Sequence, residues 1–142
     1  MTTRMFSTVA LDDQSSTEEL EHHLSGALDA QPAVFTLLWT RGLGVLISGL
    51  VYRRTGETKW VQLLTHQVLE DDGEFSLTFG PFKEGESIEV MVIALAVDAD
   101  VPRAVGAVTT GGSVKQIIPT PPTPSEKMER GVSWIKKGEF RV

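Results

Sequence analysis

From Ile88 to Val97 the chain is apolar at every position except Glu89. Successive side chains of a strand point to opposite faces, so Ile88, Val90, Val92, Ala94 and Ala96 share one face while Met91, Ile93, Leu95 and Val97 share the other. A strand that is apolar on both faces belongs at the centre of a sheet, with cover on either side. The run falls short of the ~20 residues that a membrane-spanning helix needs. It therefore points to a packed β fold.

The neighbouring sequence carries further strand signals. "AVFTLLWT" (33–40) is apolar and β-branched, and "GVLISGLVYRR" (44–54) alternates Val45, Ile47, Gly49 and Val51 against Leu46, Ser48, Leu50 and Tyr52. "KWVQLLTHQVLE" (59–70) follows the turn "RTGET". Asp72-Gly73 predicts a hairpin, because glycine tolerates the positive φ that such turns require. In "FSLTF", Phe75, Leu77 and Phe79 oppose Ser76 and Thr78, as in a half-solvated antiparallel strand. "DADVPRAVGAV" (98–108) turns and supplies a last short strand.

The two ends read differently. Ser16 and Glu19 have capping-box spacing, and Leu20, Leu24, Ala27 and Leu28 recur at helical spacing, which predicts an N-terminal helix with one apolar stripe. Beyond residue 110, "GGS" reads as a flexible joint and "PTPPTP" as a polyproline II spacer. Thr123 as N-cap, Pro124 at the first helical position, Glu126 three residues after the cap, and Met128, Val132 and Ile135 at i, i+4 and i+7 predict a second helix. "GEFRV" then closes the chain in extended form. The expected organisation is an N-terminal arm and helix (1–31), an antiparallel β-sandwich (32–110), and a proline-rich linker with a C-terminal assembly tail (111–142).

The order Tyr52-Arg53, Gly56, Trp60, Asp72-Gly73-Glu74-Phe75, Gly80-Pro81, Gly85, then Ile88-Glu89-Val90 up to Ala94 and Asp98, resembles the immunoglobulin-like or fibronectin III-like modules of bacterial surface proteins and carbohydrate-active enzymes. The resemblance covers about residues 45 to 100 and implies an immunoglobulin-like sandwich, a fold that hosts many unrelated tasks. A module of this size with arms at both ends also resembles the accessory and decoration proteins of tailed-phage capsids. That resemblance implies a non-enzymatic role, attachment to a larger particle and a place in the virion.

Composition narrows the choice of function. With 142 residues the chain has the length of one domain, and its net charge of −6, from 13 basic and 19 acidic residues, disfavours binding to nucleic acid. No cysteine is present for a disulfide or a thiolate metal site. The opening residues "MTTRMFSTVALDDQSS" lack the apolar core and cleavage pattern of a secretory signal, so synthesis in the cytosol is expected.

No catalytic, cofactor or metal residues emerge from the spacing of reactive side chains. Glu70, Asp71 and Asp72 have the chemistry of a carboxylate pair or a calcium site, but beside Gly73 they read as a charged turn. Asp98, Asp100 and Arg103 read as a solvated turn with a local ion pair. His22 and His23 are adjacent rather than one turn apart, and His66 has no nucleophile near it in sequence. The glycines of "TRGLGVLISG" do not have dinucleotide-fingerprint spacing.

Two aromatic sets remain. Tyr52 and Trp60 are either a sugar-stacking platform, which would make the chain a carbohydrate-binding module, or part of the core. Met128, Val132, Trp134, Ile135 and Phe140 in the tail are candidate anchors for a protein partner or a second copy of the chain. Asp12, Asp13, Glu18, Glu19, Glu21 and Asp29 make the N-terminal end acidic. Lys127, Arg130, Lys136, Lys137 and Arg141 make the tail basic, a pairing that favours head-to-tail assembly. On this reading a chain ended at Gly112 still folds and loses assembly. A small enzyme of unrecognised type is the third alternative.

Overall fold

A computed structural model describes residues 30–120 and 125–142. The described residues form nine strands: β1 (Ala30–Trp39), β2 (Val45–Arg54), β3 (Val61–Leu69), β4 (Glu74–Lys83), β5 (Ser87–Ala96), β6 (Val101–Thr110), β7 (Ser113–Ile118), β8 (Glu126–Met128) and β9 (Trp134–Arg141). They build two antiparallel sheets in a β-sandwich architecture. The first has the order β4-β1-β6-β7, with β8 paired to β6, and the second has the order β3-β2-β5-β9. The expected all-β class holds. No helix long and apolar enough to cross a membrane occurs among the described residues. The predicted N-terminal helix, with His22 and His23, lies outside them.

Period-two alternation explains which side chains fill the space between the sheets. On β1, Ala33, Phe35, Leu37 and Trp39 are buried while Leu38 is exposed. On β5, Ile88, Val90, Val92, Ala94 and Ala96 are fully buried. β5 is central, as its apolar pattern predicts, bonded to β2 on one side and β9 on the other. The expected cover on both faces is only half met: Met91, Ile93 and Leu95, on the outward face, are half-buried.

Several local expectations are corrected. Asp72-Gly73 does not close a hairpin. Gly73 has the positive φ of a turn (80°), but the strands it joins, β3 and β4, lie in different sheets. The backbone N–H of Trp39 donates to the Gly73 carbonyl at 2.9 Å, tying this crossing to the end of β1. "GGS" is no loose joint: Gly111 and Gly112, both at positive φ, turn β6 into its antiparallel partner β7. β6 is neither short nor last, being a 10-residue strand between β1 and β7.

The largest correction concerns residues 111–142. Thr123 and Pro124 lie outside the described residues, but the predicted helix is absent: Glu126–Met128 and Trp134–Arg141 are strands. Met128, Val132 and Ile135 share helical spacing by coincidence, and the working period is two. Trp134, Gly138 and Phe140 are buried, while Ile135, Lys137, Glu139 and Arg141 are exposed. β9 pairs with β5 from Ser87↔Arg141 to Ala94↔Trp134. The segment expected to be an appended tail is therefore part of the sandwich, with Ile118, Met128, Trp134 and Phe140 in its core.

Candidate functional site

The expected tail anchors divide into two groups. Met128 (0 % exposed), Trp134 (6 %) and Phe140 (3 %) are interior side chains of this domain, which removes them as partner anchors. Each fully buried apolar side chain of this kind contributes about 1.5–3 kcal/mol to folding rather than to a partner. Val132 and Ile135 remain exposed, at 52 % and 55 %. Val132 occupies the turn after β8, and Ile135 sits on the outward face of β9.

Tyr52 and Trp60 do not form one platform. The Tyr52 ring lies 5.3 Å from both Phe79 and Phe82, edge-on to the latter, inside an aromatic group that also reaches Phe140. Trp60 stands outside that group, with the Arg53 guanidinium stacked 4.3 Å from its ring centroid. One indole face is therefore already covered by a cation, an arrangement stabilised by the ring quadrupole.

Arg53 begins a polar ladder across the outward face of the second sheet. Its Nε and one terminal nitrogen both donate to the Glu89 carboxylate at 3.3 Å, and Lys137 approaches the same carboxylate at 3.5 Å. The bond from Arg53 is the main reason the Glu89 carboxyl is held below the usual carboxylate range. Glu139, next along on β9, accepts from the hydroxyls of Thr55 at 2.9 Å and Ser87 at 3.1 Å.

Above this ladder the same face is apolar. Register places Val68, Leu46 and Leu95 in one row across β3, β2 and β5. Ile93 and Ile135 form the next row across β5 and β9, and Val51 pairs with Met91 beneath them. Val68 and Ile135 are more than half exposed, and the others are half-buried. The surface is an apolar field closed at one end by fixed charges, the arrangement of an interface core with a polar rim. Ile135 is the one predicted anchor on it. Leu46, Ile93 and Leu95 were missed as surface residues because their alternation with buried neighbours reads as a second covered face.

The remaining candidates take structural places. Asp100 accepts from the backbone N–H of Arg130 at 2.9 Å and pairs with Lys127 at 3.2 Å, and these contacts, the first above all, hold its carboxyl below the usual range. It thus fastens β8 and the turn after it to the loop before β6, while Arg103 lines a groove on the other sheet. The Asp71 carbonyl accepts from the Gly42 N–H in the crossing between sheets. His66 is exposed on β3 with φ 49°. Among the described residues, no group of three or more His, Cys, Asp or Glu side chains is placed to hold a metal ion. Comparison with protein-family models, curated proteins and solved structures finds no match to this chain.

Proposed function

We propose that this chain is a non-enzymatic assembly protein, of the kind that decorates a larger particle such as a phage capsid, and that it attaches through the outward face of the β3-β2-β5-β9 sheet. The observation that carries this reading is the apolar field Val68, Leu46, Leu95, Ile93 and Ile135 beside the Arg53–Glu89–Lys137 ladder. A contiguous apolar surface rimmed by charge marks a site of association, and its partner is a protein surface that brings matching apolar side chains. The attachment surface is thus a sheet face rather than a tail.

Strand order supports an immunoglobulin-like reading of the sandwich. In that fold strand B pairs with E in one sheet, while C pairs with F, and F with G, in the other. Here β1 pairs with β4, and β2, β5 and β9 follow the C-F-G order, with β3 beside β2 in the place of an added C′ strand. The departure is an insertion of β6 to β8 between the F-like and G-like strands, which fills the place beside β1.

The test is to express the full chain together with the genes that flank its own and to follow it by sedimentation and electron microscopy. It should travel with the assembled particle. Ile93→Lys combined with Ile135→Lys should leave a folded chain in the free fraction. Recovery of the wild-type chain only as free monomer, or turnover of ester, phosphate or glycoside substrates, would overturn the proposal.

A further inference from the structure

Each sheet has two edge strands, β4 and β7 in the first and β3 and β9 in the second. β4 contains Pro81 and has Glu74 and Lys83 at its ends, β7 contains Lys115, and β9 contains Lys136, Lys137, Glu139 and Arg141. Charges and proline on an edge discourage another strand from pairing with it. β3 has neither: its nine residues, "VQLLTHQVL", include no Lys, Arg, Asp, Glu or Pro. Val61, Gln62, Thr65, His66, Gln67 and Val68 are exposed, and among the described residues the strand pairs with β2 alone. Its far edge therefore presents main-chain donors and acceptors on which a further strand can add.

We propose that this edge pairs with the β3 edge of a second copy of the chain, antiparallel about a twofold axis at Thr65, so that the two β3-β2-β5-β9 sheets run on as one. Full overlap of the strand with its copy sets Val61 opposite Leu69 of the second copy, Gln62 opposite its Val68, and Thr65 opposite its own equivalent. The faces agree in this register. Val61 and Leu69 lie beside Tyr52 and Val45, on the inward face of β2. Gln62 and Val68 lie beside the outward Val51 and Leu46, and Thr65 lies beside Gly49, which pairs with the outward Ile93. No side chain is carried to the wrong face, the condition that fixes register in a sheet with one buried side. The irregular positions of β3 are Leu63, which the register with β2 skips, and His66, at φ 49°. Both fall toward the middle, so main-chain pairing is firmest at the two ends.

Charge complementarity singles out a second copy as the occupant. Lys59 lies just before β3, and Glu70 and Asp71 follow it directly. The same overlap carries Lys59 past Leu69 of the second copy to its Glu70 and Asp71, and the twofold axis repeats the contact at the other end. All three side chains are exposed, and none has an ion-pair partner among the described residues. An uncharged strand with a cation at one end and carboxylates at the other is complementary to itself run backwards. A single edge pair is smaller than a standard interface, so the free dimer is weak, and copies gathered on one surface gain from local concentration. The inference goes beyond the assembly reading: it stands on β3 and its flanks, whatever the outward face of the sheet binds.

The chain has no cysteine, so a single placed thiol reports one position. Opposed residues of an antiparallel pair have Cα atoms about 4.5–5.5 Å apart, within the span of a disulfide. Full-length Thr65→Cys should oxidise to a disulfide-linked dimer at least about tenfold faster than Val114→Cys on the exposed edge of β7, the advantage of groups held together over groups that meet by diffusion. A mixture of Gln62→Cys and Val68→Cys chains should join the two to each other by the same margin over either variant with itself. Lys59→Glu should slow the Thr65→Cys reaction, and mixing that chain with Thr65→Cys chains carrying Glu70→Lys and Asp71→Lys should restore it. Equal rates at Thr65 and Val114, a Gln62→Cys chain that joins itself as fast as it joins Val68→Cys, or no loss on Lys59→Glu overturns the proposal.

Discussion

Gly138 of β9 faces Gln116 of β7 across the open edge of the sandwich so closely that a Cβ on Gly138 would stand 2.7 Å from the Gln116 Cγ and 3.2 Å from the Ile118 Cδ1. The two strands belong to different sheets, and this is where the sheets approach each other. Gln116 has limited room to retreat, since its side-chain amide donates to the Ile117 carbonyl at 2.8 Å. Gly138→Ala should cost about 1 kcal/mol, and Gly138→Val about 1–3 kcal/mol, by overpacking. Urea unfolding checks this, and an unchanged midpoint for the valine variant sinks it.

Ending the chain at Gly112 removes β7, β8 and β9 together with Ile118, Met128, Trp134 and Phe140 from the core. The shortened chain should fail to fold, in contrast to what an appended tail would allow. Trp134→Ala alone should cost about 3–5 kcal/mol. Near-ultraviolet circular dichroism and melting curves decide, and a cooperative melt from the truncated chain defeats the prediction.

Val92 is fully buried between β2 and β9 neighbours. Val92→Asp places an unpaired carboxylate there and should cost at least ~4 kcal/mol. Ile135→Lys, on the same sheet but facing outward, should change stability by no more than about 0.5 kcal/mol. Comparable losses in the two variants would mean that the assignment of faces is wrong.

Glu86 accepts the Lys83 backbone N–H at 2.6 Å and the Arg54 Nε at 2.7 Å, and these bonds, in that order, hold its carboxyl below the ordinary range. A carboxyl depressed in the folded chain adds stability at neutral pH, and that contribution is lost as pH falls through the carboxylate range, below about pH 4. Glu89 and Asp100 are shifted the same way. The melting temperature should therefore drop on acidification. Glu86→Gln should lose about 0.5–1 kcal/mol at neutral pH, modest because the pair is partly solvated, and should flatten the acid slope. Parallel acid profiles for the two proteins would count against it.

How much of this was legible from residues alone differs between the middle and the end of the chain. β5 announces itself because both of its faces are apolar, and β1 and β2 because β-branched residues alternate. β9 is disguised: Lys136 and Gly138 fall on its inward face, so only Trp134 and Phe140 mark the alternation, while Pro124 and Glu126 imitate a helix start. Lys136 manages its inward position by pairing with Glu126 and by resting its ammonium 5.6 Å from the Trp134 ring centroid, contacts made only once β8 and β9 are side by side. The apolar outward face was visible as a pattern but not as a surface. Whether a second apolar face is covered depends on what packs there, and alternation along a strand is silent on that.

The pairing of β5 with β9 joins residues such as Ser87 and Arg141, with one whole hairpin and β8 strung between them. The last strand is thus held by a neighbour it shares no turn with, through main-chain bonds and three buried side chains, Trp134, Phe140 and Val142. It has the character of a donated strand. A chain severed between β7 and β8 becomes a receptor and a peptide, and residues 125–142 supplied separately would restore the sandwich by slotting in beside β5. Bulk added between β7 and β8 would be tolerated for the same reason, which makes that connection the natural point for grafting a foreign domain.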